Sequence, residues 1–223
     1  MSGWLGVIGA GAWGTALAQV LAQDGMQVRL WAREAEVREA IAERRENLPF
    51  LPGVRLAEHI SATGSLGELA GAAALLVVVP AQHVRAVLAE CAVGDTPLIL
   101  CAKGIEDATG ALVTDIAAAI HPRAPLAVLS GPTFAHEVAA GLPAAVTLAC
   151  GDRALWDRLA PLVARPTLRP YYSDDLIGAE IGGAVKNVLA IGCGVVDGAG
   201  LGQNARAALI GPGLAEMTRF RLA

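Results

Sequence analysis

The sequence predicts an α/β protein, with a doubly wound parallel sheet followed by the start of an all-helical second domain. Short uninterrupted apolar runs alternate with longer helical patterns, which is typical of strands buried on both faces of a parallel sheet. A glycine-rich turn directly follows the first apolar run. From about Ser173 onward the sequence becomes apolar, glycine-rich and helical, and we expect a domain boundary there.

The strands are predicted from runs of apolar residues that end at turn-forming residues. These runs are Trp4–Gly9, Gln27–Trp31, Leu75–Val79, Leu98–Cys101, Leu126–Ser130, Ala144–Ala149 and Thr167–Tyr172. Helices are predicted at Thr15–Gln23, from Glu34 to about Arg45, at Thr109–Ile120 and near Asp152–Val163. The stretch Asn47–Gly53 contains two prolines and is predicted to be a loop.

Composition excludes several classes of protein. The 223 residues are 54% hydrophobic and 17% charged, which predicts a sizeable core rather than disorder. The net charge of -4 predicts no nucleic-acid surface, because phosphate binding needs a basic face. Cys91, Cys101, Cys150 and Cys193 are far apart and predict reduced, buried thiols. The four histidines are equally scattered, so no metal site is predicted.

The apolar stretch Ile181–Leu201 is long enough to cross a membrane. Lys186, Asn187, Asp197 and several glycines interrupt it. We therefore interpret it as one or more buried core helices and expect no membrane span. The N-terminal apolar run lacks the basic flank of a signal peptide, so a cytoplasmic protein is expected.

The turn after the first strand has the sequence Gly9-Ala10-Gly11-Ala12-Trp13-Gly14 and fits the GxGxxG pattern. It follows a strand, opens a helix and is followed by a second strand about twenty residues later, which is the context of a Rossmann dinucleotide-binding unit. Gly9 permits the tight turn, Gly11 allows the backbone to approach a pyrophosphate, and Gly14 allows close helix–strand packing. Free N–H groups at the helix start then face the anion.

The second strand is followed by Arg33, where an NAD-selective site usually has an acidic residue that binds the ribose 2′-hydroxyl. Arg33 can instead bind a 2′-phosphate or stack on adenine. The adjacent Glu34 makes this signal ambiguous. The cofactor is therefore NAD or NADP, with NADP slightly favoured, and the alternative for Arg33 is a solvated residue at a helix start.

Lys103 and Lys186 are the two lysines of a chain with many arginines. Lys103 follows the strand Leu98–Cys101, at the edge of the sheet where ligands of doubly wound folds bind. Lys186 lies on an otherwise apolar helix, where a charge needs a ligand, a partner or a cavity. The alternative is a lysine whose charge reaches solvent past the apolar surface.

The sequence resembles the bacterial NAD(P)-dependent glycerol-3-phosphate dehydrogenases in stretches that cover essentially the whole chain. The matching stretches are VIGAGAWGTALA (Val7–Ala18), NLPFLPG (Asn47–Gly53), VVVPAQ (Val77–Gln82), CAKGIE (Cys101–Glu106), LSGPTFAHEVAAGLPAAVTLA (Leu129–Ala149) and GGAVKNVLAIGCGVVDGAGLGQNARAALI (Gly182–Ile210). SGPTFA and GAVKN are specific to the family, whereas a generic Rossmann enzyme would match the first stretch alone.

The resemblance implies the roles of individual residues. Lys186 matches the catalytic lysine, which exchanges a proton with the substrate oxygen as hydride moves to or from the nicotinamide. The implied substrates are dihydroxyacetone phosphate and sn-glycerol 3-phosphate, the backbone of phospholipids. Substrate contacts are expected from Lys103, Gly131, Thr133 and Lys186. Cofactor contacts are expected from Gly9, Gly11, Ala12, Trp13, Gly14, Arg33, Lys103 and Ala135.

The chain also departs from the family. Members continue for roughly another hundred helical residues, the size of a second domain, which supply an Asp and a Ser-Arg-Asn motif for the substrate phosphate. Pro212 stands where the family usually has an arginine, and proline is poorly tolerated within a helix. We thus expect a dinucleotide-binding domain over residues 1–172 and an incomplete helical substrate domain over 173–223, a possible homodimer, and a large exposed apolar patch on Ile181–Arg219.

Two further functions remain alternatives at this point. One is a truncated cofactor-binding remnant with little or no turnover, because the residues implied to hold the substrate phosphate are not in this sequence. The other is a related ketone or hydroxyacid reductase with a similar first domain. SGPTFA followed by GAVKN argues against the second alternative.

Overall fold

The computed structural model describes residues 3–221, which form a single mixed sheet flanked by helices. The strands are β1 (Leu5–Ile8), β2 (Val28–Trp31), β3 (Ile60–Thr63), β4 (Ala74–Val77), β5 (Leu98–Leu100), β6 (Leu126–Ser130), β7 (Ala144–Cys150) and β8 (Leu168–Ser173). The helices are α1 (Ala12–Leu21), α2 (Ala35–Arg44), α3 (Ala81–Ala89), α4 (Val113–Ile120), α5 (Ala135–Ala139), α6 (Arg153–Val163), α7 (Leu176–Gly198) and α8 (Gly202–Arg221). A short 3-10 helix covers Leu66–Leu69.

The strand order is β3-β2-β1-β4-β5-β6-β7-β8. The first six strands of this order pair in parallel, β6 and β7 pair antiparallel, and β7 and β8 pair in parallel. Strands β2 and β3 lie on one side of β1, and β4 and the later strands lie on the other side, so the order switches between β1 and β4. Ligands of doubly wound folds bind at such a switch point. The predicted Rossmann fold class, with helices following the sheet, is confirmed.

Two apolar clusters lie on opposite faces of the sheet, since neighbouring strand residues point to opposite sides. Val7 of β1 and Leu76 of β4 belong to one cluster, which also takes in Leu17 of α1. Ile8 and Leu75 belong to the other, together with residues of α3 and α4. Burial on both faces explains why these strands read as uninterrupted apolar runs rather than as alternating ones.

Several elements differ from the predictions. The structure adds β3, α3, α5 and the 3-10 helix, none of which the sequence predicts. Helix α4 begins at Val113 rather than Thr109, because Gly110 adopts a positive φ of 71° and the Thr109 hydroxyl donates to the Glu106 carboxylate in a turn. The predicted loop Asn47–Gly53 is a pair of turns closed by an isolated bridge between Asn47 and Leu51.

The helical segment after β8 is less buried than predicted. The buried residues of α7 are Glu180, Ile181 and Gly183, so the interpretation as a buried core helix is wrong for most of its length. The reason is that its second half packs mainly against α8, which itself has little other cover. Large apolar side chains are consequently at least about half exposed, which confirms the predicted apolar patch: Val188, Ile191, Val195, Leu201, Leu214 and Phe220.

Helix α7 also has the length and apolar composition of a membrane-crossing helix, with a mean hydropathy of 1.4. A core helix of a soluble protein passes the same test, so this is weak evidence for a span. Helix α8 runs from Gly202 to Arg221 and includes Pro212. The division into residues 1–172 and 173–223 stays a prediction, and residues 1, 2, 222 and 223 of those ranges lie outside the described residues.

Candidate functional site

A cleft of about 520 Å³ opens at the carboxyl ends of β1 and β4, at the topological switch point. The glycine-rich turn forms one wall, and Val78, Val79 and Pro80 after β4 form the opposite wall. The predicted cofactor residues Gly9, Gly11, Ala12, Trp13, Gly14 and Arg33 all line this cleft. The structure therefore brings most of the predicted cofactor set to one place, at the start of α1.

The three motif positions are occupied by glycine for different structural reasons. Gly9 has a positive φ of 115°, and a Cβ there would lie 3.0 Å from the backbone nitrogen of Val79. A Cβ on Gly14 would lie 1.9 Å from the carbonyl oxygen of Gly9, so that helix α1 could not pack against the turn. A Cβ on Gly11 would meet nothing within 4 Å. Gly9 and Gly14 are thus required by the fold itself, whereas the fold places no such demand on Gly11.

A buried amide braces the turn from behind. Asn47 Nδ2 donates to the carbonyl oxygen of Ala10 at 2.8 Å and to Thr15 Oγ1 at 2.7 Å. Asn47 is fully buried and begins the Asn47–Gly53 loop. The same loop places Phe50 against the cleft. Loop and glycine-rich turn are therefore held as one unit, which gives the NLPFLPG stretch a structural role that the sequence does not reveal.

Arg33 lies at the end of the cleft that follows β2. Its side chain is 75% exposed and its Nη2 lies 3.0 Å from Glu34 Oε1. Arg38 approaches the same backbone turn and donates to the carbonyl oxygens of Ala32 and Arg33. Because Arg33 is well exposed and its partner is a neighbouring surface carboxylate, the guanidinium can exchange that partner for a bound anion with little loss.

A second cavity, of about 370 Å³, lies between the ends of β6 and β7 and the first half of α7. Lys186, Gly131 and Thr147 are among its lining residues. Lys103, in the loop after β5, is not one of the lining residues, but its Nζ donates to the carbonyl oxygen of Gly131 at 3.3 Å. The two lysines, 83 positions apart in sequence, therefore both lie near Gly131 at the carboxyl edge of the sheet.

The electrostatics of this place are unusual for lysine. Burial lowers the pKa of Lys103, the charge of nearby Lys186 lowers it further, and Cys101 partly opposes both. None of the described residues that line the cavity is acidic. The cavity therefore has a positive potential without a carboxylate of its own, and it fits an anionic ligand.

The loop that carries Lys103 is clamped to helix α3. Arg85 makes a bidentate ion pair with Glu106, at 2.8 and 2.7 Å, and this contact, together with the hydrogen bond from the Thr109 hydroxyl, lowers the pKa of Glu106 to about 2. Gln82 donates to the carbonyl oxygen of Ile105 and accepts from the backbone N–H of Asp107. Gln82 and Glu106 belong to the VVVPAQ and CAKGIE stretches, but the sequence alone assigns them no role.

Helix α7 approaches the sheet closely at Gly183. A Cβ on Gly183 would lie 2.9 Å from Ser130 Oγ and 3.6 Å from Lys103 Cγ. One turn earlier, Glu180 is 5% exposed and accepts hydrogen bonds from the backbone N–H of Thr114 at 3.0 Å and from its hydroxyl at 2.5 Å. Burial raises the pKa of Glu180 against these hydrogen bonds.

The remaining predicted residues, Ala135 and Thr133, line neither the cleft nor the cavity. Ala135 begins α5 and packs with Trp13 against a small apolar cluster that includes Leu51. Thr133 is half-buried, and its backbone N–H donates to the carbonyl oxygen of Gly131 at 3.1 Å. Gly131 thus receives both Thr133 and Lys103 at one carbonyl. Lys103 and Ala135 do not line the cleft of the glycine-rich turn, but lie near its neighbouring cavity and near Trp13.

The residues of the cleft fit a dinucleotide. Gly11 leaves an open face at the start of α1, where the backbone N–H groups of a helix N-terminus bind phosphate oxygens. The apolar walls of Trp13, Val79 and Phe50 suit a flat ring system. No metal is required by this arrangement, and within residues 3–221 no group of three or more His, Cys, Asp or Glu side chains could hold one.

Comparison with known families agrees with these features. The family model for the N-terminus of NAD-dependent glycerol-3-phosphate dehydrogenase matches residues 5–156, and the model for its C-terminus matches residues 175–223. A glycerol-3-phosphate dehydrogenase (NAD(P)+) of Erythrobacter litoralis is 62% identical over 220 residues, covering 99% of this chain and 67% of that protein. The corresponding protein of Novosphingobium aromaticivorans is 61% identical, covering 98% and 66%. The chain spans about two thirds of the length of these relatives.

Solved structures give the same result. The crystal structure of glycerol-3-phosphate dehydrogenase from Coxiella burnetii superposes with a TM-score of 0.90 at 38% identity, covering 98% of this chain and 68% of that one. The sequence resemblance is thereby confirmed, as is the expectation of an oxidoreductase family that uses NAD or NADP. The chain belongs to the NAD-dependent glycerol-3-phosphate dehydrogenase family.

Proposed function

We propose that the protein catalyses the reversible NAD(P)H-dependent reduction of dihydroxyacetone phosphate to sn-glycerol 3-phosphate. The observation that carries the proposal is that Lys103 and Lys186 both lie near Gly131 and interact through their charges, at the sheet edge that also holds the nucleotide cleft. A reductase for a phosphorylated ketone needs a proton donor at the carbonyl oxygen and positive charge near the phosphate. The two lysines can supply both.

In this proposal Lys186 is the catalytic residue. Its Nζ donates a proton to the ketone oxygen in the reductive direction and takes it back from the alcohol in the reverse direction. A bound reduced nicotinamide would supply the hydride. Lys103, Gly131 and Thr133 orient the substrate, Lys103 through its ammonium group and Thr133 through its hydroxyl.

The nucleotide is proposed to bind along Gly9, Gly11, Ala12, Trp13 and Gly14, with Lys103 and Ala135 on its nicotinamide side. Arg33 is proposed to face the adenine ribose, where it favours a 2′-phosphate and therefore NADP. Support comes from the exposed guanidinium, which is paired with no group other than Glu34 among the contacts described above. NAD remains a substrate in this proposal, with lower affinity.

The setting of the reaction belongs to the same proposal. We place the protein in the cytoplasm, because its four thiols are free and three of them are buried. A homodimer would cover the exposed apolar side chains of α7 and α8, which are otherwise unfavourable in water. The product supplies the glycerol backbone of phospholipids.

A substrate panel tests the proposal. NADPH oxidation is measured with dihydroxyacetone phosphate, with dihydroxyacetone that lacks the phosphate, and with a 2-oxo acid, each beside a Lys186→Met variant. Turnover of the phosphorylated ketone alone, lowered by about 10²–10⁴-fold in the variant, is expected. Turnover of the 2-oxo acid instead would indicate a hydroxyacid reductase. NADPH binding without any turnover would reduce the proposal to cofactor binding.

A further inference from the structure

Helix α7, which carries Lys186, packs mainly against α8 and reaches the sheet at β6 and β7. Its buried residues are Glu180, Ile181 and Gly183, all within its first half. Glu180, Gly183 and Lys186 follow at three-residue spacing, and residues at this spacing are neighbours on one side of a helix. One row therefore runs from the contact with α4, past Ser130 and Lys103, to the cavity.

Glu180 supplies the polar contact in that row. Its two carboxylate oxygens accept from the backbone N–H and the hydroxyl of Thr114, in the first turn of α4. Both hydrogen bonds require a particular distance and angle. The neighbouring contacts of Ile181 and Gly183 are apolar or steric, and such contacts allow the helix to shift along its axis. The bonds therefore determine where along the sheet edge α7 docks.

A carboxylate is an unfavourable choice for a purely structural contact in this place. Burial removes Glu180 from water and raises its pKa. An apolar side chain of similar volume would fill the space without that desolvation. A directional contact that requires the burial of a carboxylate is reasonable where the position of the helix matters more than the stability of its packing.

We propose that Glu180 is a positioning residue for this site: by holding Thr114 it sets the docking position of α7 and thereby the separation of Lys186 from Lys103. The inference rests on the proposed function for its meaning in catalysis. The separation of the two lysines, by contrast, is a structural claim that does not depend on catalysis. This separation can be tested without any measurement of turnover.

The two lysines make a direct measurement possible, because they are the only lysines in the sequence. Reductive ¹³C-methylation labels both side chains, and an NMR titration then follows each amine. The α-amino group, which ordinarily titrates at about 7.7–8.0, also takes the label, and the signals lost in Lys103→Met and Lys186→Met assign the two lysines. Lys186→Met gives the pKa that Lys103 has without its charged neighbour, and so defines the full effect of losing that neighbour.

Glu180→Ala removes both hydrogen bonds of the contact, whereas Thr114→Val removes the hydroxyl bond, keeps the backbone N–H bond and changes no charge. We expect the pKa of Lys103 to rise in both, toward its value in Lys186→Met, because α7 moves away. Loss of the Glu180 carboxylate alone would act in the opposite direction, by removing a negative charge. Glu180→Gln can keep both contacts, since its amide oxygen accepts from the Thr114 N–H and its amide nitrogen can donate to the Thr114 hydroxyl oxygen, and it should keep the pKa of Lys103 closer to the wild-type value than Glu180→Ala does.

Ile41→Val in α2 is the control, since it lowers stability in a distant part of the core and should leave the pKa of Lys103 unchanged. An unchanged pKa of Lys103 in both Thr114→Val and folded Glu180→Ala would overturn the proposal, and so would an equal rise in Ile41→Val. If Glu180→Ala does not fold, Thr114→Val decides alone. A shifted pKa together with no ketone reduction in any protein, wild type included, would refute the proposed function and leave the positioning role intact.

Turnover provides the second readout where the enzyme is active. Thr114→Val should lower kcat by roughly tenfold to a hundredfold, because a displacement of about 1 Å at a catalytic group has effects of this size. The KM for NADPH should remain unchanged, since the nucleotide cleft lies at β1 and β4 and not on α7. A change in the KM for NADPH with an unchanged kcat would contradict a role through Lys186.

Discussion

Lys103 Nζ lies 3.3 Å from the carbonyl oxygen of Gly131, in a place where the charge of Lys186 further lowers its pKa. Two like charges held together are unfavourable unless a ligand neutralises them. The free protein therefore tolerates a strained arrangement that an anionic substrate would relieve. This is typical of a site selected for binding and not for stability.

Replacing Lys103 should stabilise the protein while impairing the reaction. A lysine whose pKa is lowered by folding holds its proton less strongly in the folded state than in the unfolded state. Wild-type stability should consequently rise as the pH increases through the lowered pKa toward 10.5. Lys103→Met should have a higher melting temperature at pH 7 and lack this rise. Melting curves from pH 7 to 10.5 test it, and a lower melting temperature in the variant would contradict the account.

The Arg85–Glu106 clamp should produce a distinct acid sensitivity. The pKa of Glu106 is lowered from 4.5 to about 2, so its contribution is complete above pH 4.5 and disappears as the pH falls toward 2. Glu106→Gln should be less stable at pH 7 and lose less stability on acidification. Urea unfolding at pH 7 and pH 3 measures both effects. Equal stability at pH 7 and an equal loss of stability at pH 3 in the two proteins would show that the ion pair does not stabilise the fold.

The glycines of the first turn allow cofactor binding to be separated from folding. Gly11→Ala should fold normally, because a Cβ there meets nothing within 4 Å, yet bind NADPH roughly tenfold more weakly or worse through overlap with the pyrophosphate. Gly14→Ala should lose stability, because its Cβ would lie 1.9 Å from the Gly9 oxygen. Calorimetric titration and melting curves distinguish the two. Wild-type affinity in Gly11→Ala would remove the nucleotide from this face.

Arg33 should determine the preference between the two cofactors. A hydrogen bond to a charged group is worth about 1.5–3 kcal/mol, or roughly a tenfold to hundredfold change in affinity. Arg33→Ala should weaken NADPH binding by that factor and leave NADH binding nearly unchanged. Glu34→Gln, which frees Arg33 from its partner, should strengthen NADPH binding. Equal losses for NADPH and NADH in Arg33→Ala would mean that it stacks on adenine instead.

The close approach of α7 at Gly183 should limit catalysis. A Cβ 2.9 Å from Ser130 Oγ would displace the helix or the serine and disturb the lysine pair. Gly183→Ala should lower kcat by roughly tenfold. Gly194→Ala, on the same helix with nothing within 4 Å of its Cβ, is the matched control and should keep wild-type kcat. Equal activity of both variants would show that this contact does not position the site.

The parallel sheet was predictable because burial on both faces leaves uninterrupted apolar runs, as at Leu75–Val79. Strand β3 escaped prediction because its sequence, Ile-Ser-Ala-Thr, is short and partly polar at the edge of the sheet. Helix α3 directly follows Pro80 and mixes polar with apolar residues, so its sequence is hard to distinguish from that of a turn. Local sequence thus identifies central strands better than edge elements.

The candidate site was partly predictable for a similar reason. Gly9, Gly11 and Gly14 form a local pattern, and the two lysines are conspicuous by their rarity. The contacts that hold those lysines are not local: Thr114 and Glu180 are 66 positions apart, and Arg85 and Glu106 are 21 apart. Such pairs can be read only from the folded chain, although Glu106 lies within a stretch that the family resemblance had marked.

Transfer of deuterium is the most direct test of the claim that cleft and lysine cavity form one active site. NADPH deuterated at C4 of the nicotinamide is incubated with dihydroxyacetone phosphate and the 223-residue protein, and the glycerol 3-phosphate is analysed by mass spectrometry. We predict product with one deuterium at C2 from the wild type and from Gly194→Ala, and a loss of about 10²–10⁴-fold in Lys186→Met. Wild-type protein that binds NADPH but forms no labelled product, or Lys186→Met that forms as much as wild type, would contradict the account.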